Sequence, residues 1–314
     1  MFTRPTLILA PMAGVTDYPF RCLVRRYSNP DLVISEMVAS QAMIRNIKKS
    51  LQRNCQSEEK TAVQIAGNDP EVMAEAARMS VDLGACLIDI NMGCPVKKIA
   101  INSYAGCALM KDEKLAAQVF RAIVKAVPVP VTVKMRKGWD ENTQNALQLA
   151  HIAKSEGLSY VTIHARTRTQ LFTGKADWDF ISHIQNAIDF PVIGNGDIFT
   201  EEDAHCVMSK AAGIMVGRGC YGRPWFLGQI RHFLTYGTHC SPPSFTEQHR
   251  IVHEHFDHLL TYYGKEQGVL LARKHLAWYS KGLPGACDFR IRVFQEHDPV
   301  PLKLLIDTFY QALV

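Results

Sequence analysis

The stretch AVQIAGNDPEVMAEAARMSVDLGACLIDI, residues 62–90, is one structural unit from end to end. Its two ends, Ala62–Ile65 and Leu87–Ile90, are short apolar runs without strict alternation, the pattern of strands buried on both faces of a parallel sheet. Between them, Pro70–Leu83 places Met73, Ala76, Ala77, Val81 and Leu83 on one helical face. Asn68 or Asp69 serves as N-cap and Pro70 occupies the first turn. Two such strands joined by a helix make a β-α-β unit, because parallel neighbours need a crossover of this length.

The same texture extends in both directions. Apolar runs recur at Leu7–Ala10, Leu32–Ser35, Val131–Val133, Val161–Ile163, Val192–Ile193 and Gly213–Val216, and Glu113–Ala126 and Thr143–Ser155 read as further helices. Eight strand–helix units predict an α/β fold of the (β/α)8 TIM-barrel type. After about Gly237 the strand-like runs stop. A Ser-Pro-Pro-Ser turn at 241–244 leads into helical stretches at Thr246–Tyr263, Glu266–Lys281 and Pro299–Ala312. The expected organisation is a barrel domain over 1–240 and an all-helical domain over 241–314.

Composition narrows the class. The 314 residues are 47% hydrophobic and 21% charged, which excludes disordered and collagen-like chains. The net charge of +5 permits an anionic partner without demanding one, and the last 74 residues contribute none of it. Nine cysteines without a C-x-x-C pair or a zinc-ligand spacing predict reduced thiols, no disulfide framework and no metal. The one apolar stretch near the N-terminus stops at Pro11, too short for a leader or a bilayer span, so a soluble cytoplasmic protein without a membrane partner is expected. Nothing in the sequence sets the oligomeric state; a monomer is the default.

A parallel barrel carries its chemistry on the loops after its strands. Pro11-Met12-Ala13-Gly14-Val15-Thr16-Asp17 follows the first run, and Gln64 ends the third. Asn91-Met92-Gly93-Cys94-Pro95 follows the fourth, Lys134-Met135-Arg136 the fifth, and His164-Ala165-Arg166-Thr167-Arg168 the sixth. Gly194-Asn195-Gly196-Asp197 and Val216-Gly217-Arg218-Gly219, after the last two runs, suit a phosphate, because glycine lets backbone N–H groups approach and Arg218 adds charge. Plain turn glycines are the alternative. Cys94, in a Gly-Cys-Pro turn, is placed for a chemical role, whereas Cys22, Cys86, Cys206 and Cys220 read as packing residues. Lys134 ends a Val-Thr-Val run, where a buried ammonium needs an anion, an electron-rich cofactor, or an ion pair with Asp89 or Glu36. It also has the setting of a Schiff-base nucleophile. His164 suits phosphate binding or carbonyl polarisation.

Taken together, these segments resemble the tRNA-dihydrouridine synthase family, bacterial B type, over nearly the whole chain. The resemblance rests on Ala10–Asp17, Val63–Gly67, Asp89–Lys98, Val133–Trp139, Asn195–Ile198 and Arg273-Lys274-His275. It implies an FMN-binding barrel, a helical tRNA-binding domain and NADPH as electron donor. By matching position, Pro11, Met12 and Ala13 would line the flavin, Gln64 and Lys134 would bond its polar edge, and His164 would sit beside it. Asn195, Gly196, Asp197, Gly217 and Arg218 would hold its phosphate. Cys94 would be the catalytic acid and Asn91 would contact the target uracil. Ala165 departs from the usual glycine, and its methyl is expected to crowd the flavin side.

The chemistry asks for such residues. Reducing the uracil C5=C6 bond places a hydride on C6 and needs a proton at C5, and an ordinary thiol is protonated at neutral pH. A uracil in folded tRNA must be unstacked, and its flanking phosphates need cations. Arg136, Lys137, Arg166, Arg168 and Lys175 on the mouth loops, Lys97 and Lys98, and Arg273 and Lys274 with His275, Trp278 and Tyr279 are expected to serve tRNA. The competing readings are an FMN-dependent reductase of free pyrimidines, a Schiff-base aldolase using Lys134, and a non-catalytic tRNA-binding protein that kept the barrel.

Overall fold

In the computed structural model, residues 6–40, 61–96 and 104–314 are described. Lys97 and Lys98 lie outside them. Eight staves close a parallel barrel. β1 (Thr6–Leu9) pairs with β2 (Leu32–Ile34) on one side and with β9 (Gly213–Val216) on the other. β2 and the short β3 (Val38–Ala39) both lie along β4 (Thr61–Ala66), so they act as one stave interrupted at Ser35. The ring continues through β5 (Leu87–Met92), β6 (Val131–Arg136), β7 (Tyr160–His164) and β8 (Val192–Asn195) to β9.

Each expected apolar run is a strand, but β5 to β8 run on past the apolar residues into polar ones. The alternation of side chains across a strand explains this. Ile8, Ile34, Ala62, Leu87, Tyr160, Ile193 and Met215 fill the lower barrel interior. Two residues further along each strand the inward positions become Gln64, Asp89, Thr162 and Asn195, all buried. The outward set, including Val63, Ile88, Ile90, Val133, Ile163 and Val192, packs beneath the surrounding helices.

Those helices follow their local signals. α1 (Tyr18–Ser28) follows β1, and α2 (Pro70–Asp82) is capped by Asp69, whose carboxylate accepts from the N–H groups of Glu71 and Val72 at 2.9 and 3.0 Å. α3 (Glu113–Ala126) occupies the expected range. α4 spans only Ala146–Ser155, three residues shorter at its start than expected from Thr143. Asp140 Oδ1 captures the N–H groups of Asn142 and Thr143 and the Thr143 hydroxyl, which makes a turn where the helix would otherwise begin. α5 (Trp178–Ala187) and α6 (Glu201–Met208) complete the barrel layer, and α7 (Phe226–Tyr236) follows β9.

α8 (Phe245–Tyr263), α9 (Lys265–Tyr279), α10 (Ala286–Gln295) and α11 (Pro299–Gln311) form the C-terminal part. Ser244 and Glu247 make a reciprocal capping box at the start of α8. α10 is not among the expected helices: Phe289, Ile291 and Val293 alternate with charges as in a strand, but Ala286, Phe289 and Val293, three and four residues apart, are the buried face and Ile291 stays exposed.

Two compact units result. One comprises the described residues of Met1–Tyr18 with Pro30–Gly217, the other Pro19–Asn29 with Arg218–Val314. The boundary therefore departs from a cut at 240/241, because α1 and α7 group with the C-terminal helices. The reason is packing: Leu23 joins the core of Ile251, Phe256, Leu276 and Ile306, Phe20 meets the rings of His255 and His275, and the Tyr27 hydroxyl donates to Glu254 at 2.7 Å. Among the described residues, no helix is long and apolar enough to cross a membrane.

Candidate active site

At the polar end of the barrel, strand register assembles the side chains that the sequence singled out. Gln64 pairs with Asp89, Asn91 with Lys134, Arg136 with His164, and His164 with Asn195. Because these residues are in the strands themselves, they sit on rigid elements. A hydrogen-bonded chain runs across them. Asn91 Nδ2 donates to Gln64 Oε1 at 2.7 Å, Gln64 Nε2 to Asp89 Oδ2 at 2.6 Å, and Thr132 Oγ1 to Asp89 Oδ1 at 2.7 Å. Thr132 carried no sequence signal beyond its place two residues before Lys134, on the same strand face.

Asn91 also shapes the turn after β5. Its Oδ1 accepts from the N–H groups of Gly93 and Cys94 at 3.2 and 2.9 Å, which fixes the backbone that carries the Cys94 thiol. A Cβ on Gly93 would stand 3.4 Å from the Lys134 carbonyl, so the turn lies close against β6. Cys107, whose N–H reaches the Cys94 carbonyl at 3.3 Å, is buried, and burial pushes its thiol up to about 12.

Lys134 makes no hydrogen bond or ion pair to any described residue. The residue is half-buried, with protein atoms packed densely around its charge. Burial, with repulsion from Arg136, lowers its ammonium to about 8 against the pull of Asp89. Asp89 is fully buried, and burial raises its carboxyl to about 6 despite the Thr132 and Gln64 hydrogen bonds and the Lys134 charge. The Asp89 and Glu36 ion pairs considered for Lys134 are not formed. Glu36 instead accepts the N–H of Gly14 in the loop after β1. In that loop the Thr16 hydroxyl accepts the Met12 N–H at 2.8 Å and holds Pro11-Met12-Ala13 in place.

His164 is buried beside two loops. Gly196 adopts φ +123°, where L side chains are strained, and a Cβ there would come within 2.9 Å of the His164 ring. Gly217 has ordinary space around it, 3.4 Å from Met12 Sδ. Gly194 is needed for a different reason: a Cβ would clash with Val207 of α6 at 2.4 Å, on the outer face of the barrel. Asn195 Nδ2 donates to the Met215 carbonyl at 2.7 Å, tying the end of β8 to β9. Ala165 belongs to the outer core with Ile163 and Leu149, so its methyl does not crowd the barrel mouth, contrary to expectation.

Several expected phosphate-facing groups are engaged elsewhere. Arg136 is 2% exposed; its guanidinium donates to the carbonyls of Gly93, Thr167 and Leu171 at 3.0, 2.8 and 2.7 Å. Arg166 is 1% exposed, paired with Asp197 and bonded to the Thr173 carbonyl. Asp197 therefore neutralises Arg166 and also accepts from the Ala176 N–H at 2.9 Å, where the sequence reading had it cradle a phosphate. Lys137 is paired with Asp177 at 2.8 Å. Arg168 is different: its guanidinium lies over the Trp139 ring at 4.6 Å, Lys111 lies over the same ring at 4.8 Å, and Arg168 has no carboxylate partner among the described residues. Lys175 is exposed.

In the helical unit, Arg273 Nη2 donates to the Glu296 carbonyl at 2.6 Å and meets His297 Nδ1 at 3.0 Å, closing the end of α10. Lys274 acts electrostatically on His255 and His275. His275 and Tyr279 are buried, and Trp278 is stacked on Tyr221 at 4.0 Å, so Trp278 and Tyr279 are covered or core rings where stacking on RNA was expected, and His275 is core where a tRNA contact was expected. Arg218 opens the short turn after Gly217.

The dihydrouridine synthase (Dus) family model matches residues 8–312. A relative named "Probable tRNA-dihydrouridine synthase" from Rickettsia conorii is 50% identical over 98% of this chain and 94% of its own. "tRNA-dihydrouridine synthase B" of Xanthomonas axonopodis pv. citri is 44% identical over 99% and 94%. Among solved structures, histamine dehydrogenase from Rhizobium sp. 4-9 shares the fold with a TM-score of 0.54 at 13% identity, over 72% of this chain and 45% of that one.

Proposed function

The chain belongs to the dihydrouridine synthase family, and from that membership we propose that it reduces the C5=C6 bond of a uridine in tRNA to 5,6-dihydrouridine, using FMN that NADPH re-reduces. The observation that carries this reading is the Lys134 ammonium, held in the barrel mouth without a hydrogen-bonding partner among the described residues, in register with Asn91 and next to the Cys94 turn.

The donor set suits a flavin mononucleotide. Lys134, unpaired among the described residues, offers a cation for the electron-rich edge of the ring. Gln64, ordered by Asn91 and Asp89, presents its amide beside it. Pro11, Met12 and Ala13 supply the apolar loop, His164 flanks the ring, and Gly196 and Gly217 supply backbone N–H groups for a phosphate, with Asn195 and Asp197 shaping the loops. Arg218, next in the chain, adds positive charge. When bound, the cofactor supplies a hydride to C6 of the uracil.

The protein's own residues do the rest. Cys94 Sγ gives its proton to C5, on a turn that Asn91 keeps fixed, and the thiolate it leaves is stabilised by the nearby Lys134 charge. Asn91 is also placed to orient the base. Arg168, stacked on Trp139 without a carboxylate partner among the described residues, meets tRNA phosphate, and the family membership removes the Schiff-base aldolase reading of Lys134.

Cys94→Ala separates the two half-reactions. Flavin reduction by NADPH in stopped flow should stay near wild type, while flavin oxidation by tRNA slows by about 100-fold or more. A normal yield of dihydrouridine in this variant would remove Cys94 as the acid. A purified protein that binds no flavin after reconstitution would sink the whole reading.

A further inference from the structure

Outside the barrel, three side chains of the helical unit converge on one point. His249 and His253 lie one turn apart on α8, and Asp307 lies on α11. Both Nε2 atoms stand 2.7 Å from the same carboxylate oxygen, Asp307 Oδ1. The two imidazole rings are 4.7 Å apart at 90°. Their ligand atoms all lie within 4.8 Å of one another. The side chains are 30%, 22% and 37% exposed, so a hydrated ion can reach them. None of the three belongs to the barrel mouth or to the residues considered for tRNA.

Helical spacing of four residues puts both imidazoles on one face, which is how a helix presents two nitrogen ligands to one ion. Two imidazoles and a carboxylate are the donor types that zinc-class ions accept, and three protein ligands leave the fourth tetrahedral position to water. In such a set the ligand atoms stand about 3.3 Å apart, so each 2.7 Å N···O separation has to open by about 0.6 Å, a change that side-chain rotation supplies. The competing occupant is the pair of hydrogen bonds that now joins the three groups.

We propose that His249, His253 and Asp307 form a divalent transition-metal site of the zinc class that ties α8 to α11. Binding exchanges two Nε2–H···O hydrogen bonds for two Nε2–metal bonds and one O–metal bond. Each ring then carries its proton on Nδ1, and a ring that starts as imidazolium releases one proton to water. No metal was expected from the sequence because the third ligand of this set lies 54 residues beyond His253, outside any local spacing.

The test uses the full-length chain, stripped with a chelator and titrated with Co2+ and Zn2+. Co2+ should give the visible absorption of a tetrahedral site at one equivalent, and Zn2+ should displace it. His253→Ala and Asp307→Asn should each weaken binding by about tenfold or more, whereas His258→Ala, a histidine on the same helix outside the triad, should leave it unchanged. Loading the wild type should also raise its melting temperature, a readout that needs no variant to fold. Equal binding by wild type and His253→Ala, or no tetrahedral Co2+ signal in the wild type, would overturn the proposal and leave a hydrogen-bonded triad.

Discussion

Arg166 and Asp197 meet as a two-pronged ion pair between the loops that follow β7 and β8. Nη1 donates to Oδ1 at 2.9 Å and Nη2 to Oδ2, with the Arg166 side chain only 2% exposed. A buried guanidinium that loses its carboxylate is an uncompensated charge. Asp197→Ala should therefore destabilise the protein by about 3–5 kcal/mol in denaturant unfolding. Asp197→Asn, which tolerates the φ of +50° at this position and keeps one acceptor, should cost less. Equal losses in the two variants would mean that the lost charge accounts for the whole effect and the retained acceptor for none of it.

Gly196 and Ala165 flank His164 with opposite consequences. Gly196→Ala puts a methyl against the imidazole in a backbone conformation that L residues avoid, and FMN retention should fall sharply in a fluorescence titration. Ala165→Gly should leave retention unchanged and lower stability by about 0.4–1 kcal/mol, since the methyl packs in the outer core. A gain in flavin affinity on Ala165→Gly would place the methyl at the cofactor instead.

Asp89 and Lys134 set a pH window. With the carboxyl raised to about 6 and the ammonium lowered to about 8, both are charged between these values. Flavin affinity should weaken as Lys134 loses its proton above about pH 8. For stability the signs are reversed. Folded Lys134 gives up its proton earlier than unfolded lysine, so its contribution improves as pH rises from about 8 toward the ordinary lysine value. Asp89→Asn removes a charge that favours the ammonium and should move the alkaline limb of flavin binding to lower pH. An unmoved limb would show that the two groups are uncoupled.

Arg168 and Arg136 should behave oppositely toward tRNA. Arg168→Ala should weaken tRNA binding and reduce its salt slope by about one phosphate contact, with the melting temperature nearly unchanged. Arg136→Ala removes hydrogen bonds to three loop carbonyls and should lower the melting temperature. The same logic makes Arg273→Ala a stability variant, because its guanidinium closes α10. A lost salt slope in Arg273→Ala with an unchanged melt would return that residue to the tRNA surface.

The barrel was legible because its signals are local. The apolar run of β4, the Asp69 cap and the gap to β5 sit within 30 residues of each other and leave one plausible connection. The inward positions Gln64, Asn91, Lys134 and His164 were legible for a related reason: they interrupt or end apolar runs at the end of a strand where a barrel keeps its chemistry. Thr132 and Asp89 were harder to read, since a polar residue inside a strand acquires meaning only when its neighbour across the register is known.

The sequence alone determined that strands and helices alternate, where most of them begin, and which strand ends carry unusual residues, because backbone propensity, capping and side-chain period act over a few residues. Only the tertiary structure decided what each cation faces. Arg136 finds carbonyls at 93, 167 and 171, Arg273 finds one at 296, and His249 and His253 find Asp307. Arg168 lies on the Trp139 ring without a carboxylate among the described residues. The grouping of α1 with the C-terminal helices has the same origin, since Phe20 and Leu23 are buried by residues more than 200 positions away, and no local pattern records which distant apolar face a helix will meet.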